Sequence, residues 1–195
     1  MLKFLFAKAK ETNADMVVCD YYRESSSSQT IHREFPKGLY SNKPIAKQIK
    51  ALSYCTWNKL VRRSLFEKYG ISFPKGVLMA EDVYVTMLLL NGNIHVEYVP
   101  QCLYHYDHTC NCHNLTSNLT RAAVLSNIQV ITDLNAVLEK SLIGKLNTNK
   151  KKVVIDSFRN QLLDKSELRQ LYPEVRCSLF FTALKDWPLM SLFLS

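Results

Sequence analysis

The chain has 195 residues, of which 47% are hydrophobic and 11% aromatic, and its formal net charge is +8. This length fits one domain, or one domain and a small appendage, and the composition is enough to build a core and does not indicate disorder. The positive charge suits an anionic partner, such as a nucleotide diphosphate, a nucleic acid or an anionic membrane surface, without choosing among them. A solvated basic surface is the alternative.

The first half of the chain predicts short helices and strands in alternation. Apolar residues on one face, Leu2, Leu5, Phe6 and Ala9, predict an amphipathic helix over residues 2–12. The apolar, β-rich run at residues 16–22 predicts a strand. We expect a serine-rich loop at 24–30, a returning strand at 31–35, a turn at 36–38 and a helix from about 42 to 51.

The second half predicts further helices around one interrupted strand. Gly70 is expected in the left-handed conformation at the end of a short helix over residues 64–69. Pro100 should separate two strand segments, 94–99 and 103–106. The remaining predicted helices cover residues 79–91, 119–140, 149–165 and 175–185, with Asn147-Thr148-Asn149 separating the second from the third.

The cysteines and the apolar runs bear on where the protein works. Cys19 and Cys102 lie in apolar, strand-like runs, which is typical of buried reduced thiols in a cytoplasmic protein. We expect no signal peptide, because the start has no short basic region leading into an apolar core and a small-residue cleavage site. We expect no transmembrane helix, because no apolar run is long enough to span a bilayer.

The acidic pair Glu81-Asp82 is the most informative feature of the chain. It opens an apolar helical stretch that Asn91-Gly92 closes. The positive end of the helix dipole favours an ionised carboxylate there, which predicts a lowered pKa for Asp82. A carboxylate held ionised on a rigid helix end can act as a general base when a hydroxyl docks beside it. The alternative is that the pair only caps the helix.

Motifs occur in a fixed order around this pair. Trp57-Asn58-Lys59-Leu60-Val61-Arg62-Arg63 and Phe73-Pro74 precede it, and Leu103-Tyr104-His105-Tyr106 follows it. This order resembles the C-terminal half of family 2 glycosyltransferases, which are inverting enzymes with a GT-A (nucleotide-diphospho-sugar transferase) fold. The resemblance covers about residues 1–118. It implies an α/β chain with a partial GT-A fold at 1–118 and a helical C-terminal extension at 119–195.

The resemblance assigns the catalytic role to Asp82. That residue would take the proton from an acceptor hydroxyl as the oxygen attacks the anomeric carbon of the donor sugar. Glu81 would orient Asp82 or bind the acceptor.

Three further residues are candidate substrate-binding groups. Trp57 could stack on the apolar side of a pyranose, or it could be an ordinary core tryptophan. Lys59, with Arg62 and Arg63, could contact anionic groups, or these residues could form a solvated helix start. By the resemblance, His105 would lie near the donor diphosphate, although Asp107 departs from the family's pattern there.

The family's sugar-nucleotide half is missing from this sequence. Its Asp-Asp-Gly-Ser turn and Asp-x-Asp metal motif do not occur. We therefore expect a fragment that is inactive alone, with an open edge or apolar face at the strand 16–22. The complete enzyme would need Mn²⁺ or Mg²⁺, whose Asp-x-Asp ligands this chain lacks. His105, His108, Cys110, Cys112 and His113 have the wrong spacing for a zinc site, so no metal ligand is predicted.

The resemblance implies a transferase of polysaccharide biosynthesis at the cell envelope. A hexose or hexosamine would pass from a nucleotide-sugar donor to a saccharide or lipid-linked acceptor, with a separate donor half as partner. The protein would be cytoplasmic, and a peripheral contact with the inner face of the membrane is a weaker option. The alternative is a non-catalytic carbohydrate- or partner-binding remnant. Nucleic acid is not a predicted partner, because the basic residues are not interleaved with aromatic ones.

Overall fold

Short helices alternate with four strands in the computed structural model, which describes residues 1–35, 52–107, 119–138 and 140–171. The elements are α1 (Leu2–Thr12), β1 (Met16–Glu24), β2 (Gln29–His32), β3 (Lys59–Val61), α2 (Ser64–Tyr69), α3 (Glu81–Asn91), β4 (Val96–Asp107), α4 (Arg121–Val137), α5 (Lys140–Arg159) and α6 (Lys165–Leu171). This confirms the predicted α/β class. The turn expected at 36–38 and the helices expected at 42–51 and 175–185 lie outside the described residues.

Strand β1 is the centre of a mixed sheet. It pairs in parallel with β4 along its whole length. It pairs antiparallel with β3 over Met16–Val18 and with β2 over Tyr21–Glu24. Because a strand has only two edges, β3 and β2 share one edge and β4 takes the other. The expectation of an open edge at residues 16–22 is therefore wrong.

The two faces of the sheet are covered by different helices. On one face, Val17 and Cys19 of β1 pack with Leu5 of α1, because successive side chains of a strand point to opposite faces. On the other face, Met16 and Val18 belong to the largest core cluster, together with α3 and α4. The sheet is thus a middle layer between helices, and the apolar face expected to be exposed at β1 is covered.

Several predicted elements match the structure closely. Helix α1 has the predicted bounds, although only Leu5 of its apolar stripe is buried, and Leu2 and Phe6 are exposed. Gly70 ends α2 with φ 61° and ψ 31°, the left-handed conformation that glycine adopts without steric cost. Cys19 is buried as expected, whereas Cys102 is only half-buried.

Other predictions were wrong. Strand β4 continues through Pro100, and the irregularity appears instead as shifts in its pairing register around Asp20 of β1. Helix α5 runs through Asn147-Thr148-Asn149, which was expected to separate two helices. Strand β3 was not predicted at all.

The C-terminal helices extend the core of the N-terminal part. Val130, Ile131 and Leu134 of α4 are buried in the same cluster as Met16 and Val18. A second cluster joins α4, α5 and α6 through Val124, Val154 and Leu168. Packing therefore crosses the boundary predicted at residue 118.

Candidate active site

The acidic pair lies at the start of α3, as the sequence predicts. Ala80, directly before it, is in the left-handed conformation with φ 74° and ψ 20°. A non-glycine residue pays steric strain there, and such strain is frequent at functional sites. Glu81 is exposed, whereas Asp82 is half-buried, and Asp82 Oδ1 accepts a hydrogen bond of 2.7 Å from the Val83 amide.

The pKa of Asp82 is raised above its ordinary value of 3.8, so the prediction of a lowered pKa was wrong. The main cause is burial, which removes water from the charged form. The negative charge of Glu81 raises the pKa further, while the Val83 amide and the Lys59 ammonium lower it. For the Asp82 pKa, the effect of partial burial is therefore larger than the effect of the positive end of the helix.

A short irregular segment before β3 packs against α3. The Thr86 hydroxyl donates a hydrogen bond of 2.9 Å to the Tyr54 carbonyl oxygen. Asp82 is one turn before Thr86 and lies on the same helix face, because residues four apart are neighbours on a helix surface. The segment after Tyr54 therefore runs beside the acidic pair.

Lys59 is a buried cation in this segment, with only 8% of its surface exposed. Its ammonium donates hydrogen bonds of 2.6 Å to the Cys55 carbonyl oxygen and 2.8 Å to Asn58 Oδ1. Burial lowers the pKa of Lys59, and the nearby charges of Glu34 and Asp82 act in the opposite direction. The alternative of a solvated helix start is thus wrong for Lys59.

Glu34 anchors the other side of the same network and is fully buried. Its carboxylate accepts hydrogen bonds from the Ser53 amide (2.7 Å), the Ser53 hydroxyl and Asn58 Nδ2 (2.6 Å). Asn58 Nδ2 also donates to the Cys19 carbonyl oxygen of β1 at 2.8 Å. A carboxylate, an amide and an ammonium therefore form one connected chain beneath the start of α3.

Trp57 belongs to an aromatic cluster on the end of the sheet. Its ring stacks on Tyr104 at 4.4 Å and on Tyr106 at 5.0 Å between ring centroids. Tyr21 meets the indole edge-on at 4.6 Å. The tryptophan is half-buried, so it is held in place by rings while part of its surface remains in contact with solvent.

His105 lies on the opposite face of β4 from Trp57. Its neighbours Tyr104 and Tyr106 face the tryptophan, whereas His105 Nδ1 is 2.6 Å from Glu24 Oε1 and its ring packs on Tyr22. Hydrogen bonds from His105 and Gln29 lower the pKa of the Glu24 carboxyl. The structure thus places Lys59 where its charge acts on Asp82, and it places His105 on the face of β4 opposite Trp57.

The remaining basic candidates do not join this group. Arg62 bonds to Asn13, Ala14 and Asp15 at the end of α1, and Arg63 is exposed beside Glu67.

The described residues contain neither a metal cluster nor a membrane span. No group of three or more histidine, cysteine, aspartate or glutamate side chains among them could hold a metal ion. Of the candidate zinc ligands, all but His105 lie outside the described residues. No described helix is long and apolar enough to cross a membrane.

Reasoning from the sequence missed two members of the site. Glu34 lies at the end of a polar stretch with no motif, and Asn58 had no predicted role beyond its place in the Trp57-Asn58-Lys59 run. No local signal in the sequence marks either residue beyond the place of Asn58 in that run.

One comparison with known proteins agrees with the motifs. The chain is 34% identical over 100 residues to "Putative glycosyltransferase EpsH" of Bacillus subtilis (strain 168), a match that covers 47% of this chain and 29% of that protein. The chain thus spans less than a third of that relative's length. This similarity confirms the resemblance to glycosyltransferases.

The chain was also compared with protein-family models and with solved structures. No protein-family model matches the chain. A crystal structure of S. aureus TarS 1-349 aligns with 74% of this chain and 41% of its own, at 16% identity and a TM-score of 0.48.

Proposed function

We propose that this chain supplies the acceptor and catalytic-base side of a glycosyl transfer that inverts the anomeric centre. The substrates would be a nucleotide-activated hexose or hexosamine and a saccharide or lipid-linked acceptor. The observation that carries the proposal is the half-buried carboxylate of Asp82, on whose ionisation the buried ammonium of Lys59 acts, in a chain similar to a glycosyltransferase.

The proposed reaction needs one proton acceptor. An acceptor hydroxyl docks beside Asp82, its proton passes to a carboxylate oxygen, and its oxygen forms a bond to the anomeric carbon. The bond from that carbon to the nucleoside diphosphate breaks on the opposite face, and the diphosphate leaves with the electron pair. Because burial raises the pKa of Asp82, its conjugate acid is weaker and the carboxylate is a better base than an exposed aspartate.

The other candidates take supporting roles in this proposal. Glu81 is exposed next to Asp82 and can bind the acceptor. The exposed part of Trp57 can stack on a sugar ring. His105 lies with Glu24 on the face of β4 opposite Trp57, so it would contact the same sugar only if the substrate extended past the end of the sheet.

A divalent cation is expected in the complete enzyme, and the described residues do not fit one. They include no cluster of three potential ligands, and the sequence contains no Asp-x-Asp. When bound, such a cation would neutralise the departing diphosphate. We therefore propose that residues outside these 195, on the same or another polypeptide, supply the donor side, and that the 195 residues alone show no turnover.

The test is glycosyl transfer by the native polypeptide. An antibody raised to this chain would isolate it from its source cells, and its mass would show whether it exceeds 22.5 kDa. A panel of nucleotide sugars is then assayed for released nucleoside diphosphate, and the anomeric configuration of the product is read by NMR. Transfer with inversion supports the proposal, and transfer with retention contradicts it.

A non-catalytic binding remnant is the second candidate. The aromatic cluster around Trp57 favours it, since stacked rings can bind a sugar without any donor. It predicts saccharide binding by a native polypeptide near 22.5 kDa and no release of nucleoside diphosphate with any nucleotide sugar.

A further inference from the structure

The buried charges of Glu34 and Lys59 neither give nor take the proton in the proposed transfer. Glu34 is fully buried and Lys59 is 8% exposed, although burying a charge is costly unless it is paired and hydrogen-bonded. Asn58 lies between them with no exposed surface. Such an arrangement lowers the stability of the fold, which points to a role in the site.

Asn58 can adopt only one orientation in this network. Its Nδ2 group faces two acceptors, the Glu34 carboxylate at 2.6 Å and the Cys19 carbonyl oxygen at 2.8 Å. Its Oδ1 therefore faces Lys59, whose ammonium can only donate. Glu34 fixes the amide of Asn58, and the amide in turn fixes the position of the ammonium.

The ammonium is held close to the proposed base. Lys59 donates to the Cys55 carbonyl oxygen, and the neighbouring Tyr54 carbonyl oxygen accepts a hydrogen bond from Thr86 of α3. Asp82 lies one helical turn from Thr86 on the same face. The two hydrogen bonds thus hold the ammonium in the segment that packs on α3, near enough for its charge and that of Asp82 to act on each other without forming an ion pair.

We propose that Glu34, Asn58 and Lys59 form a positioning chain that holds a buried counter-charge near Asp82 and keeps that carboxylate available as a base. Lys59 is a positioning residue, because it acts on the proton acceptor and not on the transferred proton. The purpose that we assign to this positioning chain rests on the proposed function. The coupling between the charges of Lys59 and Asp82 can be measured without catalysis.

The pKa values of Asp82 and Lys59 depend on the titratable groups around each of them. Among the residues that the structure describes, Glu81, from its own helix, and Cys55 and Lys59, from the packed segment, are titratable groups that interact with Asp82. Glu34, Cys19, Cys55 and Asp82 are those that interact with Lys59. Lys59 is the cation among these described groups, so its removal should leave the Asp82 carboxylate harder to ionise.

The test is an NMR titration of the Asp82 side-chain carboxyl in this chain. In Lys59→Met the Asp82 pKa should rise, because the favourable charge is lost. In the control Lys68→Met, which removes an exposed lysine of α2, the Asp82 pKa should stay at the wild-type value. An unchanged Asp82 pKa in folded Lys59→Met would overturn the proposal.

A reciprocal measurement covers the case in which Lys59→Met does not fold. Coupling between two sites is the same in both directions, so Asp82→Asn should lower the pKa of Lys59, read from its side-chain signals. The control Asp133→Asn removes an exposed charge of α4 and should leave the Lys59 pKa unchanged. No change in Lys59 in Asp82→Asn contradicts the proposal.

The two proposals fail in different ways. If the charges are coupled but Asp82→Asn retains full glycosyl transfer in the native polypeptide, the proposed base is wrong and the positioning chain stands as a structural feature. If transfer is lost in Asp82→Asn and the two pKa values are independent, the positioning chain is wrong and the base stands.

Discussion

Replacing Asn58 by alanine removes the middle of the buried network and leaves its two charged ends in place. The side chain makes hydrogen bonds to the Glu34 carboxylate (2.6 Å), to the Lys59 ammonium (2.8 Å) and to the Cys19 carbonyl oxygen (2.8 Å). The variant therefore leaves a buried anion, a buried cation and a buried carbonyl each short of one partner.

The expected loss of stability follows from these three contacts. A hydrogen bond to a charged group contributes roughly 1.5–3 kcal/mol and a neutral one roughly 1 kcal/mol. The sum of these three contributions is an upper bound on the loss of stability. In the variant, Glu34 still accepts a hydrogen bond from Ser53, and Lys59 still donates one to the Cys55 carbonyl oxygen. We expect Asn58→Ala to lower the free energy of unfolding by about 3–5 kcal/mol, a large share of the roughly 5–15 kcal/mol typical of a domain.

Equilibrium unfolding in urea measures this loss. Tryptophan fluorescence and far-UV circular dichroism should give coincident transitions, which justifies a two-state free energy. The control is Asn93→Ala at an exposed position before β4, where we expect a change within about 0.5 kcal/mol. A loss below about 1 kcal/mol in Asn58→Ala would refute the hydrogen-bonded network.

Three further predictions concern stability. Asp82→Asn should raise the free energy of unfolding at neutral pH, because the raised pKa means that the ionised form is disfavoured in the folded state. In urea titrations this gain should begin to fade as the pH falls through the folded pKa and should be gone below the unfolded pKa, and a loss at neutral pH would contradict it. Gly92→Ala should cost about 1–3 kcal/mol, because a Cβ there would lie 2.8 Å from Tyr69 Cζ, and the added change Tyr69→Leu should recover part of the loss. Leu134→Ala should lower the free energy of unfolding by about 3–5 kcal/mol, since Leu134 is fully buried in the main core, and a cost below about 1 kcal/mol would show that α4 does not pack there.

Local signals predicted the fold best where they act within one element. Helix α1, the end of α2 at Gly70 and the start of α3 at Glu81 each have periodicity or a terminal residue that specifies them. Strand β3 has three residues and forms by pairing with β1, so no local sequence pattern predicts it.

Two errors had a tertiary cause. Asn147-Thr148-Asn149 is a poor helix sequence, yet α5 continues through it because Leu146 and Val154 on either side are buried in the core. The pKa of Asp82 was predicted from the helix end alone, and the burial that outweighs it depends on packing that the sequence does not reveal.

The site could be predicted only in part. Asp82 and Lys59 are recognisable from motif order, and the structure places Lys59 where its charge acts on Asp82. Glu34 joins them from 24 residues before Asn58 with no motif of its own, since a buried carboxylate is specified by its partners and not by its neighbours in sequence. Alternation along β4 places His105 on the other face from Tyr104 and Tyr106, a separation that follows once those two tyrosines are known to face Trp57.

The most direct measurement is the rate of glycosyl transfer by the native polypeptide carrying Asp82→Asn, compared with the wild type and with Asp133→Asn. A general base contributes roughly 10²–10⁴-fold, so we predict a loss of that size in Asp82→Asn and a wild-type rate in the control. A wild-type rate in folded Asp82→Asn would contradict the assignment of Asp82 as the base.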